Sequence, residues 1–217
     1  MIFPSRSSNG IICTLGVGEH ARLIEISRKR LDKWADSFGY HLDIQFEIKC
    51  VDRPPAWSKL LQIRERLDSH KYVFWIDADT VVWDTNHDFR DLLSWRKPIA
   101  LVAHNYHNQW FPNLGVIAIQ STRFTRKLFD RLWEMDEYTN HKWWENAAFL
   151  DLLGISPSHE PLKQTHKDLI GHKINWLDNS WNSMGLDPSP VPKILHYPGV
   201  SNIEREILMT EIMTIID

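Results

Sequence analysis

The chain has 217 residues, 43% apolar and 24% charged, with a formal net charge of −3, the composition of a soluble globular protein with one sizeable core and no basic excess to mark a nucleic-acid binder. Its two cysteines, Cys13 and Cys50, are too few for a disulfide framework and read as reduced core residues. No apolar run approaches the roughly 18 residues of a membrane span, and the N-terminal MIFPSRSSNG lacks the basic and apolar regions of a signal peptide, so a cytoplasmic location is expected.

In chain order, IICTLGVG (Ile11 to Gly18) reads as a buried strand running into a glycine loop. From Glu19 to Phe38 the pattern is helical, with Ile24, Leu31, Ala35 and Phe38 on one stripe and Gly39 as the stop. LDIQFEIK (Leu42 to Lys49) alternates as a strand does, and DRPP forces a turn. Trp57 to Leu67 is helical, with Trp57, Leu60, Leu61 and Leu67 on the inner face; Tyr72 to Ile76 is a compact apolar strand. This β-α-β-α-β alternation predicts a parallel sheet covered by helices. Ile99 to Asn105 and Gly115 to Gln120 read as further strands, Phe124 to Met135 and Trp143 to Leu153 as helices, and Lys193 to Gly199 as a short strand and turn. The tail, about 202–216, reads as a helix whose stripe of Ile203, Ile207, Ile212 and Ile216 docks on the body or on a partner, a second copy included. Its acidic polar face argues against a membrane surface. There is no internal repeat and no dividing linker.

The stretch YVFWIDADTVVW (Tyr72 to Trp83) sets two acids, Asp77 and Asp79, inside an apolar run. If the strand continues, both side chains share a face; if it ends at Ile76, they lie at its carboxyl end, where open α/β sheets bind ligands. Two close carboxylates repel each other unless a positive charge sits between them. A divalent cation supplies that charge, and hard oxygen ligands suit Mg²⁺ or Mn²⁺. The alternative is a turn in which Asp77 caps the strand and Asp79 faces water. The eleven tryptophans are the other unusual feature, since tryptophan is either core or a stacking surface for sugars and nucleobases.

WSKLL (Trp57 to Leu61), YVFWIDADTVVWD, NLGVIAI (Asn113 to Ile119), WWENAAFLDLL and HYPG, in that order across roughly residues 10–200, resemble the GT-A glycosyltransferases. They are most similar to the galactosyl-, xylosyl- and mannosyltransferase family that includes yeast Golgi mannosyltransferases and plant xyloglucan xylosyltransferases. The resemblance implies a single GT-A (Rossmann-like) α/β domain with a mixed, mainly parallel sheet flanked by helices. Its nucleotide-binding half would span about 10–85 and its acceptor and donor-sugar half about 95–200. Without the anchor and stem of the eukaryotic members, the chain resembles a compact catalytic core of bacterial or viral type. The implied activity is metal-dependent transfer of a hexosyl or pentosyl unit from a UDP- or GDP-sugar to a glycan hydroxyl, with retention.

The resemblance also distributes roles. Asp77, Asp79 and His196 would hold Mn²⁺ or Mg²⁺; neutral imidazole is a good ligand when a neighbouring acceptor orients it. Gly199 follows His196 in the same element. Asn113 and Gly115 match an N-x-G element beside the donor sugar, where an amide meets hydroxyls and glycine allows close backbone approach. Glu145 and Asn146 match an acidic residue followed by Gln, and Asn146 is one methylene shorter than that Gln. Glu145 would act at the donor sugar or the acceptor hydroxyl, with Trp143 and Trp144 available to stack; its alternative is a carboxylate favoured by a helix N-terminus. Lys59 would meet a phosphate, or else sit solvated on its helix. Asp178 and Asn182, in LDNSWN, resemble a donor-site loop. His104 and His107, in VAHNYHNQW, line an acceptor cleft or decorate a loop.

Two other classes compete. A nucleotidyltransferase acting on sugar phosphates also pairs acids with a metal, but GVGEH (Gly16 to His20) is a poor phosphate loop without a nearby lysine. A non-enzymatic carbohydrate-binding module would use the tryptophans but has no need of an acid pair within a strand.

Overall fold

The computed structural model describes residues 9–106, 109–156 and 167–216. Its first half follows the predicted alternation: β1 (Gly10–Leu15), α1 (His20–Phe38), β2 (His41–Gln45), α2 (Ser58–Ser69) and β3 (Tyr72–Ile76). Gly39 ends α1 in the left-handed conformation at φ 66°, which costs glycine nothing. The chain continues through β4 (Thr80–Val82), β5 (Ile99–Tyr106), β6 (Gln109–Gln120), α3 (Arg123–Trp133), α4 (Trp144–Leu152), β7 (Ile174–Leu177), β8 (Ser183–Met184), β9 (Ile194–His196) and α5 (Asn202–Ile216).

Six strands form one sheet in the order β2-β1-β3-β6-β5-β7. The β1–β2, β1–β3 and β5–β7 pairings are parallel; only β6 runs the other way, between β3 and β5. The fold is therefore a mixed, mainly parallel α/β sheet, as the alternation and the resemblance imply. One face buries Trp57, Leu60, Trp75, Ile117 and Phe149 under α2, α3 and α4. The other buries Ile12, Trp34, Phe74 and Val116 under α1, with Trp34 edge-on to Phe74 at a ring separation of 4.9 Å. A small second sheet, β4-β9-β8, stands beside the first.

Four expectations change. β2 stops at Gln45, not Lys49, and Phe46 beyond it is 48% exposed. It is an edge strand whose partner β1 ends opposite it, Leu15 against Gln45, so the alternation runs on without a ladder to join. β6 begins at Gln109, six residues before Gly115, because a hairpin with β5 carries it past Pro112 through a register shift; proline tolerates such an irregular site. β7 and β8, four and two residues long, carry too little periodicity to be read in advance. Finally, α5 docks on the body, but by a different stripe. Met209 and Met213 are buried against Leu23 and Val81, with Ile212 and Ile216 beside them. Ile203 and Ile207 face outward.

Arg30, on α1, is buried although no carboxylate pairs with it in the described contacts. Its guanidinium donates to the carbonyls of Val82 (2.8 Å), Trp83 and Ile216 (3.4 Å). One side chain thus joins α1, the end of β4 and the end of α5. Among the described residues no helix is long and apolar enough to cross a membrane. Replacing Arg30 with Leu should cost about 2–4 kcal/mol, since buried carbonyls lose their donors. Urea denaturation measures this; a loss below about 0.5 kcal/mol would mean that the carbonyls find other partners.

Candidate active site

β3 ends at Ile76, so the acid pair lies beyond its carboxyl end. Two different strands hold it there. Asp77 N–H donates to Gly115 O on β6 at 2.8 Å, continuing the β3–β6 ladder. Two residues on, Asp79 O accepts from Tyr197 N–H at 3.0 Å, just after β9. Thr80 pairs with His196 in the β4–β9 ladder, and the Thr80 hydroxyl closes the turn onto Asp77 O at 2.7 Å. The D-A-D segment is thus the crossing point between the two sheets, and His196 is brought to it by strand pairing.

The candidate ligand atoms converge. His196 Nε2 lies 3.3 Å from Asp79 Oδ1 and 4.0 Å from Asp77 Oδ2, and one atom from each of the three residues lies within 4.8 Å of the others. The imidazole tautomer follows from a chain of hydrogen bonds. Gly115 N–H donates to Asn113 Oδ1 at 2.8 Å, so that atom is an acceptor. Asn182 Nδ2 donates to the same oxygen at 3.0 Å. Asn182 Oδ1 therefore faces His196 Nδ1, 2.8 Å away, and accepts its proton. When the ring is neutral, the Nε2 lone pair is therefore the one that faces the carboxylates, as a metal ligand requires. Two carboxylate oxygens and an imidazole nitrogen suit Mn²⁺ or Mg²⁺.

Gly115 is fixed by space. A Cβ there would stand 2.3 Å from His196 Cε1 and 2.9 Å from Asp77 Oδ2. Gly115 therefore packs directly against the His196 and Asp77 side chains.

A second cluster compensates the charge. Asp77 Oδ1 accepts from Trp75 Nε1 at 2.6 Å and pairs with Lys59 Nζ at 3.0 Å. Lys59 also pairs with Glu145 Oε1 at 2.9 Å. Only 5% of Lys59 is exposed, so it is not a solvated helix lysine. Burial disfavours its charge, but Asp77 and Glu145 outweigh this and raise its pKa. Glu145 is 4% exposed; burial pushes its pKa up, although Lys59 pulls it down. Its Oε2 is buried with no hydrogen-bond partner. Burial also works against charge on Asp79, yet His196 and then Arg205 bring its pKa down to about 2. When His196 is neutral and ligating, Arg205 is the cation left beside Asp79.

Arg205, on α5, was not singled out from the sequence. Its Nε lies 3.2 Å from Asp79 Oδ2 and donates to Tyr197 O at 2.9 Å, and its Nη1 meets His20 Nε2 at 3.0 Å. The only signal was that it is the one Lys or Arg after Lys193.

These groups line one cleft of about 420 Å³. Leu15 at the end of β1, Val17 and His20 beyond it, Asp77 and Asp79 after β3, and Trp144 and Glu145 at the start of α4 all line it. Asn113, His196 and Gly199 also face it. Other expected residues are placed differently. Asn146 bonds the β6 backbone, accepting from Leu114 N–H at 3.1 Å and donating to Pro112 O at 3.3 Å, which secures the segment carrying Asn113. Asp178 caps the turn before Asn182, accepting from Ser180 N–H at 3.0 Å, and does not line the cleft. His104 is buried on β5 and pairs with Asp187 at 3.2 Å, so it does not decorate a loop, and it is not among the residues lining this cleft. His107 lies outside the described residues. Trp57 and Trp143 pack on the core, while Trp144 is 44% exposed.

No family model matches the chain, and no curated protein matches it. Its backbone is similar to that of a glycosyltransferase involved in the glycosylation of the major capsid of PBCV-1, with a TM-score of 0.68, 13% identity and 93% and 98% of the two chains covered. It is similar to the glycosyltransferase GlyE of Streptococcus pneumoniae TIGR4, at 0.60 and 15%, covering 94% of this chain and 63% of GlyE. It is also similar to the galactosyltransferase LgtC in complex with donor and acceptor sugar analogs, at 0.59 and 10%, with 95% and 96% covered. At such identities the likeness establishes the GT-A fold. The narrower resemblance to the yeast and plant enzymes gains no support from it.

Gly115→Ala should destabilise the protein by about 1–3 kcal/mol through overpacking, measured by chemical denaturation; an unchanged midpoint would mean that the neighbouring side chains yield easily. Asn182→Ala frees the His196 ring and should weaken Mn²⁺ binding about tenfold or more, measured by calorimetry on the protein alone.

Proposed function

We propose that the protein is a metal-dependent glycosyltransferase that moves a sugar from a nucleoside diphosphate sugar, a UDP- or GDP-sugar, to a hydroxyl of a carbohydrate acceptor. The observation that carries this reading is the Asp77–Asp79–His196 cluster, with its Nε2 lone pair directed inward, at the carboxyl end of β3 in a GT-A sheet. That is where open α/β sheets bind nucleotides. In this reading residues about 10–85 form the nucleotide half, about 95–200 the sugar and acceptor half, and 202–216 a helix that completes the site.

In the reaction the bond between the anomeric carbon and the phosphate oxygen breaks. A bond to the acceptor oxygen forms, and the acceptor hydroxyl loses its proton. A divalent cation held by Asp77, Asp79 and His196 would supply charge against the departing diphosphate. Asn113 and Asn182 keep the His196 ring in its ligating tautomer. Lys59 holds Asp77 and Glu145 in fixed positions; being engaged by both, it serves the phosphates through Asp77 rather than by contact. Arg205 and His20 sit where a diphosphate would meet further donors. Glu145, with one oxygen fixed by Lys59, presents carboxylate charge to the anomeric carbon or to the acceptor hydroxyl. Retention of configuration rests on the family resemblance, and NMR of the product anomer tests it.

Thermal-shift screening of UDP- and GDP-sugars with and without Mn²⁺ tests the donor class. A ligand at 100 times its Kd adds about 2.7 kcal/mol of stability. The reading fails if no nucleoside diphosphate or nucleotide sugar stabilises the protein in Mn²⁺. Asp79→Ala should abolish Mn²⁺-dependent release of nucleoside diphosphate while the protein stays folded. Glu145→Gln should lower kcat by about 100-fold with donor affinity changed by less than about threefold. Near-normal kcat in a folded Glu145→Gln protein would make Glu145 a helix-start carboxylate only.

A further inference from the structure

Trp144 is the one non-glycine residue with a left-handed backbone among the described residues, at φ 44°. A bulky side chain rarely takes that conformation, because its Cβ crowds the backbone. Strain of this kind persists where the surroundings require it, and it concentrates at ligand sites. The requirement is not core packing, since the side chain is 44% exposed while its neighbour Trp143 packs on the core. Trp144 instead lines the cleft, as does Glu145. Glu145 is nine-tenths buried, and its Oε2 has no hydrogen-bond partner.

A tryptophan and a carboxylate with spare accepting capacity lining one cleft match the chemistry of a pyranose. One face of such a ring presents C–H groups that suit a π-surface, and its hydroxyls donate to an acceptor. The sheet order places this pair. β2 and β1 lead to Leu15, Val17 and His20; β3 leads to the acid pair; β6 lies next and is bonded to α4 through Asn146. A nucleotide sugar bound with its diphosphate at the acid pair and its base over β1 has its sugar on the α4 side. Lys59 bridges Asp77 and Glu145 within 3.0 Å of each, so the start of α4 lies one side chain from the acid pair.

We propose that Trp144 is the stacking surface for the pyranose ring of the donor, held in a strained backbone beside Glu145 so that the ring is read by one aromatic face and one carboxylate. This rests on the glycosyltransferase reading. The geometry makes the two requirements on this position oppose each other: the backbone favours glycine and the ligand favours an aromatic.

The test measures Kd in Mn²⁺ for UDP, UDP-glucose, UDP-galactose, GDP and GDP-mannose, together with the melting temperature, for the wild type, Trp144→Gly and Trp144→Phe. The wild type should bind at least one nucleotide sugar more tightly than its nucleoside diphosphate. Trp144→Gly should keep the wild-type melting temperature or exceed it, keep the nucleoside diphosphate affinity, and lose the sugar's increment by about five- to tenfold. Trp144→Phe should retain most of the increment. A purely structural tryptophan would behave otherwise: the melting temperature would fall, and the affinities for diphosphate and nucleotide sugar would move together or not at all. Either pattern, or a wild type in which the sugar adds no affinity, overturns the proposal. Absence of all nucleotide binding by the wild type instead overturns the glycosyltransferase reading beneath it.

Discussion

Three carboxylates, those of Asp77, Asp79 and Glu145, are brought to one cleft, and their mutual repulsion is the constraint around which the structure is arranged. At protein-interior dielectrics like charges this close cost several kcal/mol. Lys59 takes up a position between Asp77 and Glu145 at about 3 Å from each, and Arg205 stands at Asp79. The burial of Lys59 is explained by this compensation. An ammonium with 5% exposure would otherwise shed its proton. Lys59 is shared between Asp77 and Glu145 and Arg205 stands only at Asp79, so the acid pair keeps accepting capacity that a divalent cation would use.

Anchoring matters as much as charge. Each aspartate of the pair is tied by its backbone to a different sheet, Asp77 to Gly115 on β6 and Asp79 to Tyr197 just after β9. Neither can move without breaking a ladder. The His196 ring is fixed by an amide chain that begins at a backbone N–H, where donor and acceptor cannot be exchanged. Rigid elements of this kind hold a reacting geometry better than loops do. Gly115 marks how closely the parts meet, since there is no room there for one more carbon atom.

The C-terminal helix belongs to the same arrangement. Met209 and Met213 seat it against Leu23 on α1 and Val81 on β4, and Arg30 ties its last carbonyl to the end of β4. That seating delivers Arg205 to Asp79 and to His20 at the start of α1. The exposed Ile203 and Ile207 lie off the face by which the helix packs on the body.

The sequence by itself determined the alternation of the first eighty residues and the acid pair within an apolar run, and the resemblance pointed to the HYPG histidine; that β3 ends at Ile76, before the pair, was one of two readings until the structure closed it. The alternation, the acid pair and the HYPG motif are local patterns: a period of 3.6 or 2, a run broken by charge, or a short ordered motif. Strand and helix periodicity depends only on which side chains face the core, so it survives without knowledge of the fold. What tertiary structure alone decided involves partners far apart in the chain. Lys59 became a buried counter-ion because residues 77 and 145 arrive on either side of it. Asn182, read only as part of a loop, became the acceptor that sets the His196 tautomer, while Asp178 beside it became a cap. Asn146, expected at the chemistry, turned to the β6 backbone because β6 extends six residues further than its apolar run. The inner face of α5 kept Ile212 and Ile216 but turned from Ile203 and Ile207 to Met209 and Met213, because a helix that is apolar on several sides has no unique inner face until something packs against it. In each case the side chain's chemistry was visible in one dimension, but the charge or hydrogen-bonding group it answers to is supplied by the fold.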